Sequence, residues 1–403
     1  MILLIEIFLL TYLTGCVLYN LFFSIAGKLV RRTSSANPPT DIYSKVAILV
    51  PAYKEDAVIL SVARSYMELD YPSSKYDVWV IADSLQPETL RLLEAAEVNV
   101  LPVSFEKSTK AKSLNAALGQ LDDSYELVLI SDADNVLAHD FLLKVNQSYQ
   151  QGHHVIQAQR VAKNIETPFA VLDTANEIIA NHIYRKGSNA VGLSSSVIGS
   201  GMVFHYPLIK SVMEQIDATG GFDKVLQLEI VARGYHIHYQ EDALIFDEKV
   251  EHPEAFSNQR RRWISSQFLY FRRFWKPGVK MLLKGNVDYF NLAFCHNLML
   301  PRMLLIAGIC FVAACSFVFS SYVHIPLWYW GALFLINALS LALPLPAMFY
   351  RKYLFTALLN LPKAVWMMVL LLFRIKGANK TFIHTQHNKT DINNPLLNVA
   401  RKN

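Results

Sequence analysis

The stretch ELVLISDAD, residues 126–134, sets an unbroken aliphatic run directly against two aspartates, Asp132 and Asp134. The apolar part has the length and composition of a strand. Working outward, similar runs occur at 46–50 (VAILV), 77–82 (DVWVIA), 98–103 (VNVLPV) and 154–159 (HVIQAQ). Between them, 55–68, 86–97, 110–120 and 138–150 have helical spacing and length. This alternation predicts an α/β domain, a mostly parallel sheet with helices on both faces. Ligands of such sheets gather at the carboxyl ends of strands, where strand order reverses. The residues just after the strands are therefore the candidate site: Pro51, Tyr53 and Glu55, then Asp83, then Asp132 and Asp134.

The rest of the chain is greasier than a soluble enzyme. Of its 403 residues 53% are hydrophobic and 18% charged, and mean hydropathy is +0.24. A disordered chain, a disulfide scaffold and a purely soluble enzyme are excluded. A net charge of only +5 argues against a nucleic-acid binder. The four cysteines, Cys16, Cys295, Cys310 and Cys315, lie in or beside apolar stretches without metal or disulfide spacing. Apolar residues concentrate at the two ends. Residues 7–26 are long enough to span a bilayer, and no basic n-region or cleavage site marks them as a signal peptide. Lys28, Arg31 and Arg32 follow, which places the N-terminus outside and the next part of the chain in the cytosol. A linker at 33–40 leads into a globular part. Beyond that part, 303–321 and 326–349 read as a transmembrane hairpin between Lys276, Lys280 and Lys284 on one side and Arg351 and Lys352 on the other. The stretch 354–373 carries Asn360, Pro362 and Lys363 at its middle, which favours an interfacial or re-entrant segment over a further span. The expected organisation is an N-terminal helix and linker (1–40), a catalytic domain (41–275) and a membrane-associated remainder with a basic tail (276–403).

Two carboxylates one residue apart at a strand end can share a divalent cation with a diphosphate. Taken alone, the same three residues fit an acidic turn or helix N-cap better. Lys110, opening the helix at 110–120, reads equally as a phosphate partner and as a solvated lysine. Gln259-Arg260-Arg261-Arg262-Trp263 has two readings. It is either a membrane-surface anchor or a diphosphate clamp with an aromatic platform for a sugar.

Taken in order, Pro51-x-Tyr53-x-Glu55, Asp83, Lys110 with Leu114-Asn115, Asp132-Ala133-Asp134, Asp223 and Gln259-x-x-Arg262-Trp263 resemble the family 2 glycosyltransferases. The likeness covers about 43–275 and points towards the membrane-embedded branch that includes cellulose, chitin and hyaluronan synthases. It implies a GT-A-like fold and an inverting transfer from a nucleotide sugar, uridine-linked, to a growing polysaccharide. Tyr53, Glu55 and Asp83 would hold the nucleoside, Pro51 belonging to the same motif. Lys110 would face the donor, Asp132 the donor and its metal, and Asp134 the cation, Mg2+ or Mn2+. Gly199, Ser200 and Gly201 would border the acceptor. Gln259 and Arg262 would hold the diphosphate, and Trp263 would stack on the acceptor sugar.

Where the family usually carries Thr-Glu-Asp, this chain has Gly221-Phe222-Asp223, so Asp223 stands alone as general base. Glu241 and Asp242 fall in a strand-like run, 236–246, and read as structural. His236 and His238 on the same run read as ordinary strand histidines. The competing functions are non-processive transfer to a lipid or lipid-linked acceptor, and an inactive scaffold subunit of a polysaccharide-synthesis complex. Few apolar spans are available to build a polymer channel, so a homo-oligomer or export partner is expected in the polymer-making case. The expected location is the plasma (inner) membrane, multi-pass, with the catalytic domain cytosolic.

Overall fold

Along the first strand, Ala47 and Leu49 point into one apolar core, and Val46, Ile48 and Val50 into another on the opposite face. Every one of these side chains is fully buried, because the strand is covered on both sides. This computed structural model describes residues 2–30, 41–216, 221–374 and 389–399. The expected linker at 33–40 and most of the basic tail lie outside the described residues.

The strands are β1 (Val46–Tyr53), β2 (Tyr76–Asp83), β3 (Asn99–Val103), β4 (Leu127–Ile130), β5 (Val136–Leu137), β6 (Val155–Ala162), β7 (Met202–His205) and β8 (His238–Asp247). The helices that matter here are α1 (Ile2–Leu29), α2 (Ile59–Tyr66), α3 (Pro87–Glu94), α4 (Lys110–Leu118), α5 (Phe141–Gln150) and α6 (Pro168–Ala180). They continue with α7 (Tyr206–Met213), α8 (Phe222–Ala232), α9 (Pro253–Leu283), α10 (Arg302–Val318), α11 (Leu327–Ala342) and α12 (Leu354–Leu372).

The sheet order is β3-β2-β1-β4-β7-β6-β8-β5. Strands β1 to β4 pair in parallel, with Tyr53 opposite Asp83 in register. The chain crosses from β1 to β2 on one side and later fills β4 on the other, so the carboxyl ends of β1 and β4 form the switch point. One departure from the sequence reading is β7, which enters antiparallel between β4 and β6 and makes the sheet mixed. Its four residues are too short a run to stand out beside a glycine-rich loop. Helices α4, α7 and α8 contribute to one core, and α2, α3 and α5 to the other.

Among the described residues two helices are long and apolar enough to cross a membrane, α1 and α12. A third span results if the helical segment 287–298 and α10, bent by 54° against each other, count as one. At 354–373 the structure has an unbroken 19-residue helix, Leu354–Leu372, long and apolar enough to cross a membrane, with Pro362 inside it. Packing absorbs the interruption. Met368 and Leu371 are buried against Ile264 of α9 and Leu304 of α10. The expected hairpin helices are shorter, with 17 residues in α10 and 16 in α11. The far end of α1 packs on the globular part, where a Cβ on Gly187 would lie 2.3 Å from the Phe23 carbonyl oxygen. Helix α9 runs without a break through position 275.

Candidate active site

The Asp132-Ala133-Asp134 turn leaves the end of β4 and is held from three directions. The Asp132 N–H donates to Ser200 Oγ at 3.0 Å. Ser200 Oγ in turn donates to Asn135 Oδ1, and Asn135 Nδ2 reaches Asp134 Oδ1 at 3.3 Å and Asp247 Oδ1 at 3.2 Å. Thr109 caps α4 through its hydroxyl, 3.3 Å from the Lys112 N–H, so Lys110 is the first helical residue. From there its ammonium donates to Asp132 Oδ1 and, at 2.6 Å, to the Gly199 carbonyl.

The 199–201 loop is pinned against the sheet. Gly201 N–H donates to Ile130 O at 2.9 Å, and Ala158 N–H to Gly201 O at 2.8 Å. Gly201 has φ +63°, and a Cβ there would lie 2.9 Å from Ile245 Cγ2, so only glycine fits. Lys110, Asp132, Gly199 and Ser200, singled out from sequence, thus form one hydrogen-bonded group with Asp134 one residue-link away.

The ends of β1 and β2 form the second part of the site. Lys54 and Ser84, directly after Tyr53 and Asp83, have φ of 57° and 60°, which non-glycine residues rarely adopt. Strained backbone of this kind clusters at functional sites. Lys54 N–H donates to Asp83 O at 3.1 Å. Asp83 is 2% exposed; Oδ1 accepts from Ser84 Oγ at 3.0 Å, while Oδ2 is buried without a hydrogen-bond partner among the described residues. A buried carboxylate oxygen left open is costly, and an incoming N–H donor would satisfy it. Asp56 Oδ1 ties the two loops together, accepting from Gln86 N–H at 2.8 Å and Thr89 Oγ1 at 2.6 Å.

Beneath the aspartates lies a buried ion network. Arg160 at the end of β6 bonds Glu177 of α6 at 2.7 Å and faces Asp247 at 3.9 Å. Lys249 reaches Asp247 at 2.6 Å and Glu177 at 3.4 Å, and Arg185 lies 3.7 Å from Glu177. Burial alone would push the Glu177 carboxyl up, but Arg160, Lys249 and Arg185 outweigh it and hold it well below the usual range. Asp247 is likewise held low against its burial by Lys249 and Arg160. Burial pushes the Lys163 ammonium down, against the pull of Asp134 and its acidic neighbours. Lys163 donates to the backbone carbonyl of Asp134.

The third part comes from α8 and α9. Asp223 lies in the first turn of α8, where the helix dipole favours a carboxylate. Phe222, in the place of the usual acidic residue, is buried, and the Lys110 ammonium stands 5.7 Å from its ring centroid. Gly221 has φ +63° and packs on Tyr270 of α9, which a Cβ would approach to 2.9 Å. Gln259, Arg262 and Trp263 lie along the first half of α9. Trp263 is 44% exposed, and burial pushes the Arg262 guanidinium down. Of the three consecutive arginines, Arg260 is the buried one. It is ion-paired with Asp173 of α6 and stacked 4.2 Å from the Trp263 ring. Glu241 pairs with Lys186 at 2.8 Å, and the His238 ring stacks on His153 at 3.8 Å.

Arg160, Asn135, Glu177, Asp247 and Lys163 are additions to the residues read from sequence, as is the burial of Arg260, read there only as one of three arginines. A signal existed for Arg260. It falls midway between Phe256 and Ile264 at four-residue spacing, on the buried stripe of the helix. Among the described residues no group of three or more His, Cys, Asp or Glu side chains is placed to hold a metal. Two carboxylates, Asp132 and Asp134, nevertheless suit a hard cation that takes its other ligands from phosphate oxygens and water.

A mixed sheet with an acidic pair at its switch point and a buried carboxylate beside it defines a GT-A-like fold. The mannosyltransferase of Pyrobaculum calidifontis, solved in complex with GDP-Man and Mn2+, shares that fold with a TM-score of 0.57. The identity is 17%, over 94% of this chain and 98% of that one. The profile described as glycosyltransferase like family 2 matches residues 44–266, and the chain belongs to this family. The beta-monoglucosyldiacylglycerol synthase of Trichormus variabilis is 24% identical over 242 residues, 57% of this chain and 50% of the relative. Cellulose synthase 1 of Komagataeibacter xylinus is 28% identical over 126 residues, 31% of this chain and 8% of that protein. The chain spans about half the length of the first of these curated relatives.

Proposed function

We propose that the protein is an inverting glycosyltransferase that moves one sugar from a nucleotide sugar to the hydroxyl of a membrane lipid. The observation that carries the lipid acceptor is a cavity of about 890 Å³ among α9, α10 and α12. Its lining is almost wholly apolar, and Ile264, Gln267 and Phe268 bring it within a turn of Trp263 on the same helix. A glycan chain is hydroxylated along its length and would find few partners there; an acyl chain would. The names of the diacylglycerol-glycosylating relatives support the same reading. Polymer extension has less behind it, since the likeness to cellulose synthase covers 8% of that protein.

In this reading Asp83 accepts an N–H of the base, and Tyr53 and Glu55 complete the nucleoside pocket. Lys110 and Arg262 face the diphosphate, with Gln259 beside them. A Mg2+ or Mn2+ held by Asp132 and Asp134 would offset charge developing on the leaving diphosphate. Asp223 takes the proton from the lipid hydroxyl, whose oxygen attacks the anomeric carbon opposite the departing phosphate oxygen. The 199–201 loop borders the acceptor, and Trp263 supports its sugar-receiving end at the membrane surface. The basic residues flanking the apolar segments support a cytosolic catalytic domain with the N-terminus outside.

The test is purified protein with UDP- and GDP-sugars, one at a time, in vesicles containing diacylglycerol, with products read by mass spectrometry. A lipid carrying one added hexose is expected. A ladder of sugars without lipid would overturn the acceptor assignment.

A further inference from the structure

Beyond α12, residues 389–397 return to the globular part and lie along the loop that follows β6. Asn393 N–H donates to Lys163 O at 2.8 Å, and Asn393 and Asn164 form a parallel bridge. Asn394 Nδ2 donates to Ala162 O at 2.7 Å. Lys389 pairs with Glu251 at 3.0 Å, and its N–H donates to Glu248 at 2.9 Å. Leu396 packs beside Ile165 and Val171 of the globular part and Phe349 of the membrane-side helices. The segment is a strap wedged between the two.

Its unusual contact is with Lys163, whose side chain is fully buried. The ammonium donates to the Asp134 carbonyl on one side and, at 3.0 Å, to the Lys389 carbonyl on the other. The Lys163 N–H donates to Asp247 O at 2.8 Å, so the main chain of this residue is fixed as well. A buried ammonium needs its acceptors, because leaving it short of one carries a large desolvation penalty. The strap carbonyl and the metal-motif carbonyl therefore share one donor, and neither is indifferent to the other. A strap serving only to close the fold would need the main-chain pairing at Asn393 but not this shared ammonium.

We propose that Lys163 is a positioning residue for Asp134 and that the strap sets it. When 389–397 is seated, the Asp134 turn is held for the metal and diphosphate; when it lifts, metal affinity falls. The proposal rests on reading Asp134 as a metal ligand. Because Leu396 of the strap packs beside Phe349 of the membrane-side helices, the strap couples the state of that part to donor binding.

The experiment titrates Mn2+ into the full chain, Lys163→Met, Asn394→Ala and a chain ending at 388. Free Mn2+ is followed by electron paramagnetic resonance, and UDP and GDP binding by calorimetry. Truncation and Lys163→Met are expected to weaken Mn2+ binding about tenfold, the scale of losing an outer-shell partner. Asn394→Ala should show a smaller shift in the same direction and guards against a Lys163 variant that fails to fold. Excess Mn2+ should restore nucleotide binding in each variant. Wild-type Mn2+ affinity in the truncated chain overturns the proposal. So does a loss of nucleotide binding that Mn2+ does not restore. Asp134→Ala is the separate control: if it keeps full Mn2+ affinity, the metal reading itself fails.

Discussion

Lys110 and Asp132 are ion-paired, and the same ammonium holds the Gly199 carbonyl at 2.6 Å. The first carboxylate of the acidic turn is thus matched to a cation that also fixes the 199–201 loop. A diphosphate entering the site would compete for this lysine, so donor binding and loop position are linked through one side chain.

Replacing Lys110 with Met removes both bonds at once. One charge-assisted hydrogen bond from Lys110 to the donor diphosphate contributes about 1.5–3 kcal/mol, so donor affinity should fall about 10- to 100-fold. Steady-state kinetics with varied donor would show this as a raised donor KM. An unchanged KM would mean that Lys110 does not face the donor.

Asp223→Asn keeps the size and helix position of the side chain but cannot accept a proton. Turnover should drop about 10²- to 10⁴-fold, the range of general-base contributions, while nucleotide binding by calorimetry stays intact. Near-normal turnover would remove Asp223 from the base role, and buried Phe222 offers no substitute beside it.

The parts of this site that were legible in the sequence are those whose meaning is local. Strands β1, β2 and β4 announce themselves as apolar runs, and Asp83, Asp132 and Asp134 by standing where those runs end. Strand β7 escaped because four residues, Met202–His205, carry too little periodicity to separate strand from loop. The Arg160–Glu177 pair escaped for a different reason. Its partners are 17 residues apart on different elements, and only packing of α6 on β6 brings them together. Lys163 is similar, since the two carbonyls it joins come from residues 134 and 389. Main-chain acceptors leave no mark in side-chain identity.

The Glu177 cluster makes stability depend on pH in a stated direction. Its folded-state carboxyl lies well below the unfolded value of about 4.3. The contribution is therefore complete above that value and is lost as pH falls through the folded value. Melting temperature should fall as pH drops below about 4.3, and the fall should be shallower in Glu177→Gln. At neutral pH this variant should be less stable by about 3–5 kcal/mol, because Arg160 and Lys249 lose a buried partner. Parallel melting curves for the two proteins across that range would show no electrostatic role.

If an acyl chain enters the cavity beside α9, a single substitution at a small lining residue can exclude it. Ala307 of α10 lines it, away from Asp132, Asp134, Asp223 and the ends of β1 and β2. An indole there would occupy space an acyl chain needs while leaving the nucleotide pocket untouched. Ala307→Trp should therefore raise the KM for diacylglycerol and leave the donor KM and the slow hydrolysis of donor without acceptor unchanged. Measuring the three together matters, because an overpacked helix contact that merely destabilises the protein would depress all of them. If the diacylglycerol KM stays at the wild-type value in a folded variant, the acyl chain does not enter this cavity, and the acceptor must approach Asp223 from the bilayer surface instead.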